Sequence, residues 1–239
     1  MGAENRSTPI CRLAIASLAG QFVFVATIAV AGAVEPGYSA VRDAISALGA
    51  RTAADPWVFD TAVAIWGLAF IAVAAALWLD APRGLRGRLG PALIAFTGLA
   101  QILDGFPFPA DCRKTIDAGC GAREAAGDLS WTHYAHGWTY FLGGMVMLVS
   151  VFAMAWRFRG DERWAGADRL AFGAGVIGVF VFGTLFIATG NGSADYGLVQ
   201  RLGLGAAAVW IGALALGLLT VYGRLPGTPL LRSADAARR

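Results

Sequence analysis

The sequence predicts an all-α polytopic membrane protein: six transmembrane helices in one bundle, with a short amphipathic helix in the first outer loop. Three observations predict it. Hydrophobic residues make up 57% of the 239, and mean hydropathy is +0.60. Charged residues are 15%, well below the roughly 25% usual in soluble domains. Finally, six stretches approach the roughly 20 apolar residues that a helix needs to cross a hydrocarbon core.

The first stretch, Cys11–Val34, follows a polar segment, residues 1–10. It is long enough to span and lacks a clear small-residue cleavage site, so it is expected to be a helix and not a cleaved signal peptide. The second is Phe59–Leu79. The third, Pro91–Phe106, is short and stops at Pro107 and Pro109, which cannot continue a helix. The fourth, fifth and sixth are Trp131–Trp156, Leu170–Thr189 and Leu198–Tyr222. Gly173, Gly175, Gly178 and Gly183 in the fifth are expected to mark packing seams, because small residues let helices approach closely in lipid. Residues 11–223 thus read as one transmembrane domain, and 224–239 as a disordered tail.

Orientation follows from the basic residues. Residues 1–12, the loops 81–90 and 157–169 and the tail carry two, three, four and four of them. The loops 35–58 and 107–130 and the turn at Arg201 carry two, three and one. Both termini are therefore expected on the cytoplasmic side of the inner (plasma) membrane, with the two long loops outside. No basic run or nucleic-acid motif accompanies the net charge of +3, so nucleic acid is not an expected partner. Nothing in the sequence names a protein partner.

Polar side chains within spans are few, which makes each informative. Gln21 lies mid-span. Gln101 and Asp104 lie near the outer end of the third span, and His133 and His136 open the fourth. Thr184 and Thr189 lie in the outer half of the fifth, and Gln200 and Arg201 open the sixth. The cytoplasmic halves contain almost nothing ionisable. A polar pocket facing the outside is the expectation.

The outer loops add to it. In GYSAVRDAISALGAR, residues 37–51, Val41, Ile45 and Leu48 fall on one helical face. Ser39 can cap the start and Gly49 the end. The other face carries Arg42, Asp43 and Ser46, either as solvated groups or as a lid that points Asp43 and Ser46 into the pocket. The second loop, FPFPADCRKTIDAGCGAREAAGDLS, contains Cys112 and Cys120. An oxidising exterior favours a disulfide between them, while Cys11 is expected to stay reduced. Asn191-Gly192-Ser193 matches a glycosylation sequon.

His133 and His136 are the only histidines, and a spacing of three puts them on one helix face. Three roles fit. They bind a zinc ion with Asp104 or Asp111; or Asp104 acts as an acid with a histidine as base or relay; or the carboxylates pair structurally with a histidine or Arg201. No Gly-x-Ser-x-Gly elbow, phosphate loop, HExxH or channel filter is present.

Four segments resemble one known family. They are GYSAVRDAISALGA after the first span, the tryptophan-containing lead into the second, the FP…D element ending the third, and the histidine-bearing start of the fourth. They resemble the membrane family catalogued as domain of unknown function 998, over roughly residues 10–223. The most specific part is Asp43-Ala-Ile45-Ser46-Ala-Leu48-Gly49. The insertion between Asp111 and Trp131 looks longer than the family's usual one. The resemblance implies a bacterial or archaeal six-helix membrane protein and no particular activity. It points to Asp43, Ser46, Asp111 and the fourth-helix histidine region as the places to look.

Taken together, the sequence favours a binding protein whose outward pocket holds a lipid or small amphiphile, contacted by Asp43, Ser46, Gln101, Asp111, Gln200 and Arg201. The alternative is a membrane-embedded enzyme on a lipid or isoprenoid. It would use Asp104 for proton-initiated terpene cyclisation, or His133 and His136 for metal-dependent hydrolysis. No cofactor is expected, zinc being the alternative that the histidine pair leaves open. Transport would need polar residues reaching the cytoplasmic side.

Overall fold

A computed structural model describes residues 3–190 and 195–223. The expected disordered tail, the sequon and the Thr189 side chain lie outside the described residues. Seven α-helices are present: α1 (Ala3–Val34), α2 (Pro56–Asp80), α3 (Leu85–Gly105), α4 (Cys120–Ala126), α5 (Trp131–Phe158), α6 (Ala167–Gly190) and α7 (Tyr196–Val221). Two 3-10 helices, Ile45–Gly49 and Glu162–Trp164, complete the set, and no strand occurs among the described residues. Five helices, α1, α2, α5, α6 and α7, are long and apolar enough to cross a membrane. The third expected span corresponds to α3, whose polar ends (Arg86 and Arg88, Gln101 and Asp104) set it apart from those five.

The six long helices form a ring in the order α1, α2, α3, α5, α6, α7, closing back on α1, and α2 also reaches α7 across the interior. Small residues set the seams. A Cβ on Gly67 of α2 would overlap the Gly98 carbonyl oxygen of α3, and one on Gly98 would come within 2.5 Å of the Gly67 oxygen. The two backbones therefore touch directly, which only glycine permits on both sides. Across the α5–α6 seam, Gly175 faces the Phe152 ring and Gly178 faces Leu148. Gly173 and Gly183, expected to act similarly, have open space where a Cβ would stand. Inside the ring, Trp66 of α2 stacks on Phe24 of α1 at 4.3 Å.

The end away from the long loops is not free of ionisable groups, contrary to the sequence expectation. Asp80, the last residue of α2, pairs with Arg157 and with Arg163 (2.7 Å) and accepts the Tyr222 hydroxyl at 2.9 Å. Arg157 is 3% exposed. It enters the bundle because α5 runs to Phe158, past the expected end at Trp156. Its guanidinium lies over the Phe158 and Trp164 rings at 5.2 and 5.7 Å. A buried charge is tolerated only with a partner, so Asp80 and Arg157 belong to one cluster.

Leucine at Gly67 or Gly98 is expected to lower stability by about 1–3 kcal/mol or more through overpacking. The readout is the melting temperature of the detergent-solubilised protein. Alanine at Gly173 or Gly183 should leave it nearly unchanged.

Candidate functional site

The first long loop is not the expected amphipathic helix from Ser39 to Gly49. Residues 36–43 form turns, and only Ile45–Gly49 is helical, as a 3-10 turn. The reason lies at the start of α7, which takes up the backbone groups that an α-helix would pair internally. Arg201 Nη1 donates to the carbonyls of Ala40 (2.5 Å), Asp43 (3.1 Å) and Gly197 (3.0 Å), and its other terminal nitrogen reaches the Tyr38 hydroxyl. Gln200 Oε1 accepts the Ile45 N–H at 2.6 Å, and the Leu198 N–H donates to Val41 O at 2.8 Å. Gly197 is required here, because a Cβ would strike the Asp43 backbone.

Asp43 is fully buried. Its carboxylate accepts the Ser39 N–H at 2.6 Å and Arg42 Nε at 3.3 Å. Burial pushes this carboxyl up, but bonds from Thr115, Ser39 and Arg42 outweigh it and hold it below the usual carboxylate range. Asp43 thus closes its own turn. Ser46, its partner in the expected lid, is half-buried.

The second loop packs against the first. Cys112 and Cys120 are disulfide-bonded, and Cys11 is free and buried. Arg113 joins Glu35 (2.5 Å) to Asp117 (2.7 Å), and Asp117 also takes the Thr52 hydroxyl. Asp111 accepts the backbone N–H (2.5 Å) and hydroxyl (2.7 Å) of Ser130, the N-cap of α5, and pairs with Arg51 at 3.2 Å. His133 Nδ1 accepts the Asp111 N–H at 3.2 Å. Asp111 and His133 therefore fasten the α5 start to this loop.

His136 faces a different neighbour. Its Nδ1 lies 3.2 Å from Asp104 Oδ1 and 3.1 Å from the carbonyl oxygens of Asp104 and Phe108. Those oxygens only accept, so Nδ1 carries the proton. Asp104 is 5% exposed and also accepts the Thr139 hydroxyl at 2.9 Å. Asp60 of α2 stands within electrostatic reach of both Asp104 and His136, and its Oδ1 is buried without a hydrogen-bond partner. The two histidines do not share a ligand position. Among the described residues, no three His, Cys, Asp or Glu side chains are grouped so as to hold a metal.

Beside this cluster lies a cavity of about 400 Å³, half open to the outer surface of the bundle, where Leu170, Ile177 and Val209 on its rim are exposed. Every long helix except α1 lines it. Its walls are apolar over most of their area, with Gln101 and Tyr140 toward the long-loop end and Val151 and Leu170 toward the other. The Tyr140 hydroxyl lies within electrostatic reach of the Gln200 side chain and the Asp104 carboxylate. Tyr140 therefore connects the Asp104–His136 pair and the α7–loop junction to the cavity wall.

A family described as protein of unknown function, DUF998, matches residues 18–217. The chain belongs to this family. No curated protein matches the chain, and no solved structure does. The DUF998 match runs from the first half of α1 almost to the end of α7, so it contains the cavity and every residue of the three polar groups.

The residues singled out in the DUF998 sequence do not share one hollow. Asp104, His136 and Gln101 gather near the cavity, Asp43, Gln200 and Arg201 at the α7–loop junction, and Asp111 with His133 at the α5 cap. Three residues escaped the sequence reading. Asp60 sits one turn into α2 and reads as an interfacial charge, although any carboxylate on a spanning helix is a signal. Tyr140 is four residues after His136, on the same helical face. Gly197 offers no signal before the loop is docked on it.

Arg201→Ala should release residues 38–45, seen as faster amide exchange there with the Cys112–Cys120 bond intact. The expected cost is about 1.5–3 kcal/mol, from hydrogen bonds to a charged group. Asp117 gives a pH test. Burial raises its carboxyl, but Arg113 and Thr52 hold it at about 2, below the ordinary 3.8. The stabilisation is therefore complete above about pH 4 and fades as pH falls toward 2. The wild-type melting temperature should drop across that interval more steeply than that of Asp117→Asn.

Proposed function

We propose that this DUF998 protein binds a lipid or small amphiphile within the bilayer, in the half-open cavity among α2, α3, α5, α6 and α7. One observation carries the reading: a cavity of about 400 Å³ with mainly apolar walls and a polar end. An engineered apolar cavity of roughly 150 Å³ stays dry and takes up benzene. A larger apolar space inside a membrane protein is better filled by hydrocarbon than by water, which needs two to four polar partners. Gln101 and Tyr140 supply a place for the ligand's polar group.

In this reading α3 is the sixth span. The arginine distribution favours both termini on the cytoplasmic side of the plasma membrane, and the Cys112–Cys120 bond suits loops in an oxidising exterior. The polar end of the cavity then lies in the exoplasmic half of the bilayer.

A second reading, a membrane-embedded enzyme on a lipid or isoprenoid, is favoured by the Asp104–His136 pair beside Tyr140. A proton-initiated cyclisation would pass its proton through Tyr140, because Asp104 does not itself line the cavity. Metal-dependent hydrolysis gains less support, since His133 and His136 have separate partners.

Mass spectrometry of lipids that co-purify with the protein tests both readings. A defined lipid is expected with the wild type, falling at least tenfold in Ala207→Phe, which fills the cavity. The same species should remain with Asp104→Asn. Accumulation of a different, precursor-like lipid in Asp104→Asn would instead favour the enzyme.

A further inference from the structure

The cavity is a slot that follows the helix axes. On α5 its wall runs from Tyr140 to Val151, and on α7 from Gly203 to Ala213. At a rise of about 1.5 Å per residue, these stretches make the slot about 16 Å long. That is about half of the roughly 30 Å hydrocarbon core, or one leaflet. Spread over that length, about 400 Å³ leaves a channel about 5 Å across, the width of one extended hydrocarbon chain. Beside Val151 and Leu170 the slot ends, because Met154 and Ala171 are fully buried there. Gln101 stands at the other end. It is half-buried, and its side-chain amide stays accessible, without a hydrogen-bond partner among the described residues.

We infer that the slot takes one extended hydrocarbon chain about a leaflet long, carried by an uncharged single-chain amphiphile whose hydroxyl-type head meets Gln101. The inference rests on the cavity reading above and adds the ligand's length, chain number and head. The chain has a route from the bilayer through the open side, past the exposed Leu170, Ile177 and Val209. A second chain has no room beside the first. Charged heads do not suit the site, because no charged side chain lines it among the described residues. A charge there would be unpaired in a medium that penalises it heavily. A hydroxyl both donates and accepts, which matches the two halves of the Gln101 amide.

The test uses the full chain in phosphatidylcholine nanodiscs, with dodecanol carrying a diazirine at its tail end as photolabel. Label is expected on the peptides holding Leu148–Val151 and Leu170–Ala174. At equal mole fraction in the lipid, unlabelled dodecanol should compete at least about fivefold better than octanol, octadecanol or dodecane. Gln101→Leu should bring dodecanol to within about twofold of dodecane and keep the length preference. Ala174→Phe, which fills the deep end, should move the preference to octanol; if it does not fold, Leu170→Trp carries the comparison. Equal competition by the three alcohols, equal competition by didodecanoylglycerol, or label confined to the Gln101 end overturns the inference while the cavity reading stands. Absence of labelling overturns the inference too, and the cavity reading falls with it if Ala207→Phe leaves the co-purified lipid unchanged.

Discussion

Gln200 and Arg201, adjacent at the start of α7, decide how the long-loop end is built. Their side chains take the Ile45 N–H and the carbonyls of Ala40 and Asp43. Backbone groups buried in a folded protein are rarely left unpaired. Because they are paired with α7, residues 36–43 are free to turn, Asp43 folds back on Ser39, and Gly197 allows the close approach. Gln200 also neighbours the Tyr140 hydroxyl. The same junction therefore ties the first loop, α7 and α5 together and fixes the polar end of the cavity.

The opposite end is held by a different device. Asp80 gathers Arg157, Arg163 and Tyr222, joining the ends of α2, α5 and α7. Between these two polar clasps, the ring depends on glycine seams and on aromatic contacts such as Trp66 on Phe24. The α2–α3 seam is closed by backbone contact. The α5–α6 seam is made by glycines against the rings of Phe152 and Phe182. A space lined by five helices is left between them. This half-open hollow has mainly apolar walls and is large for a single side chain to fill, and it is the reason the cavity carries the functional reading.

Hydrogen bonding sorts the polar residues into those tied up in the loops and those beside the cavity. Asp111 and His133 Nδ1 are engaged at the start of α5, and Asp43 and Arg201 in the first loop. Asp104 and His136 are also bonded to each other, yet they sit beside Tyr140, which faces the cavity, and beside Asp60, one of whose oxygens has no partner. Membership in DUF998 covers all of these residues and assigns a role to none of them.

The sequence by itself determined the helical membrane class, the long helices to within a few residues except for the earlier starts of α1 and α3 at Ala3 and Leu85, the cysteine pair and the family. These follow from hydrophobic length, from turn and breaker residues and from local spacing, which neighbours along the chain encode. It could not determine which polar residues meet. His133 and His136 share a helical face but diverge to Asp111 and Asp104, because the chain after α3 folds back across α5. The apolar spacing from Ser39 to Gly49 favours a helix locally, and α7 overrides it by supplying stronger hydrogen bonds. Asp60, Tyr140, Gly197 and the cavity became visible only in the tertiary structure, since each owes its meaning to residues far away in the chain.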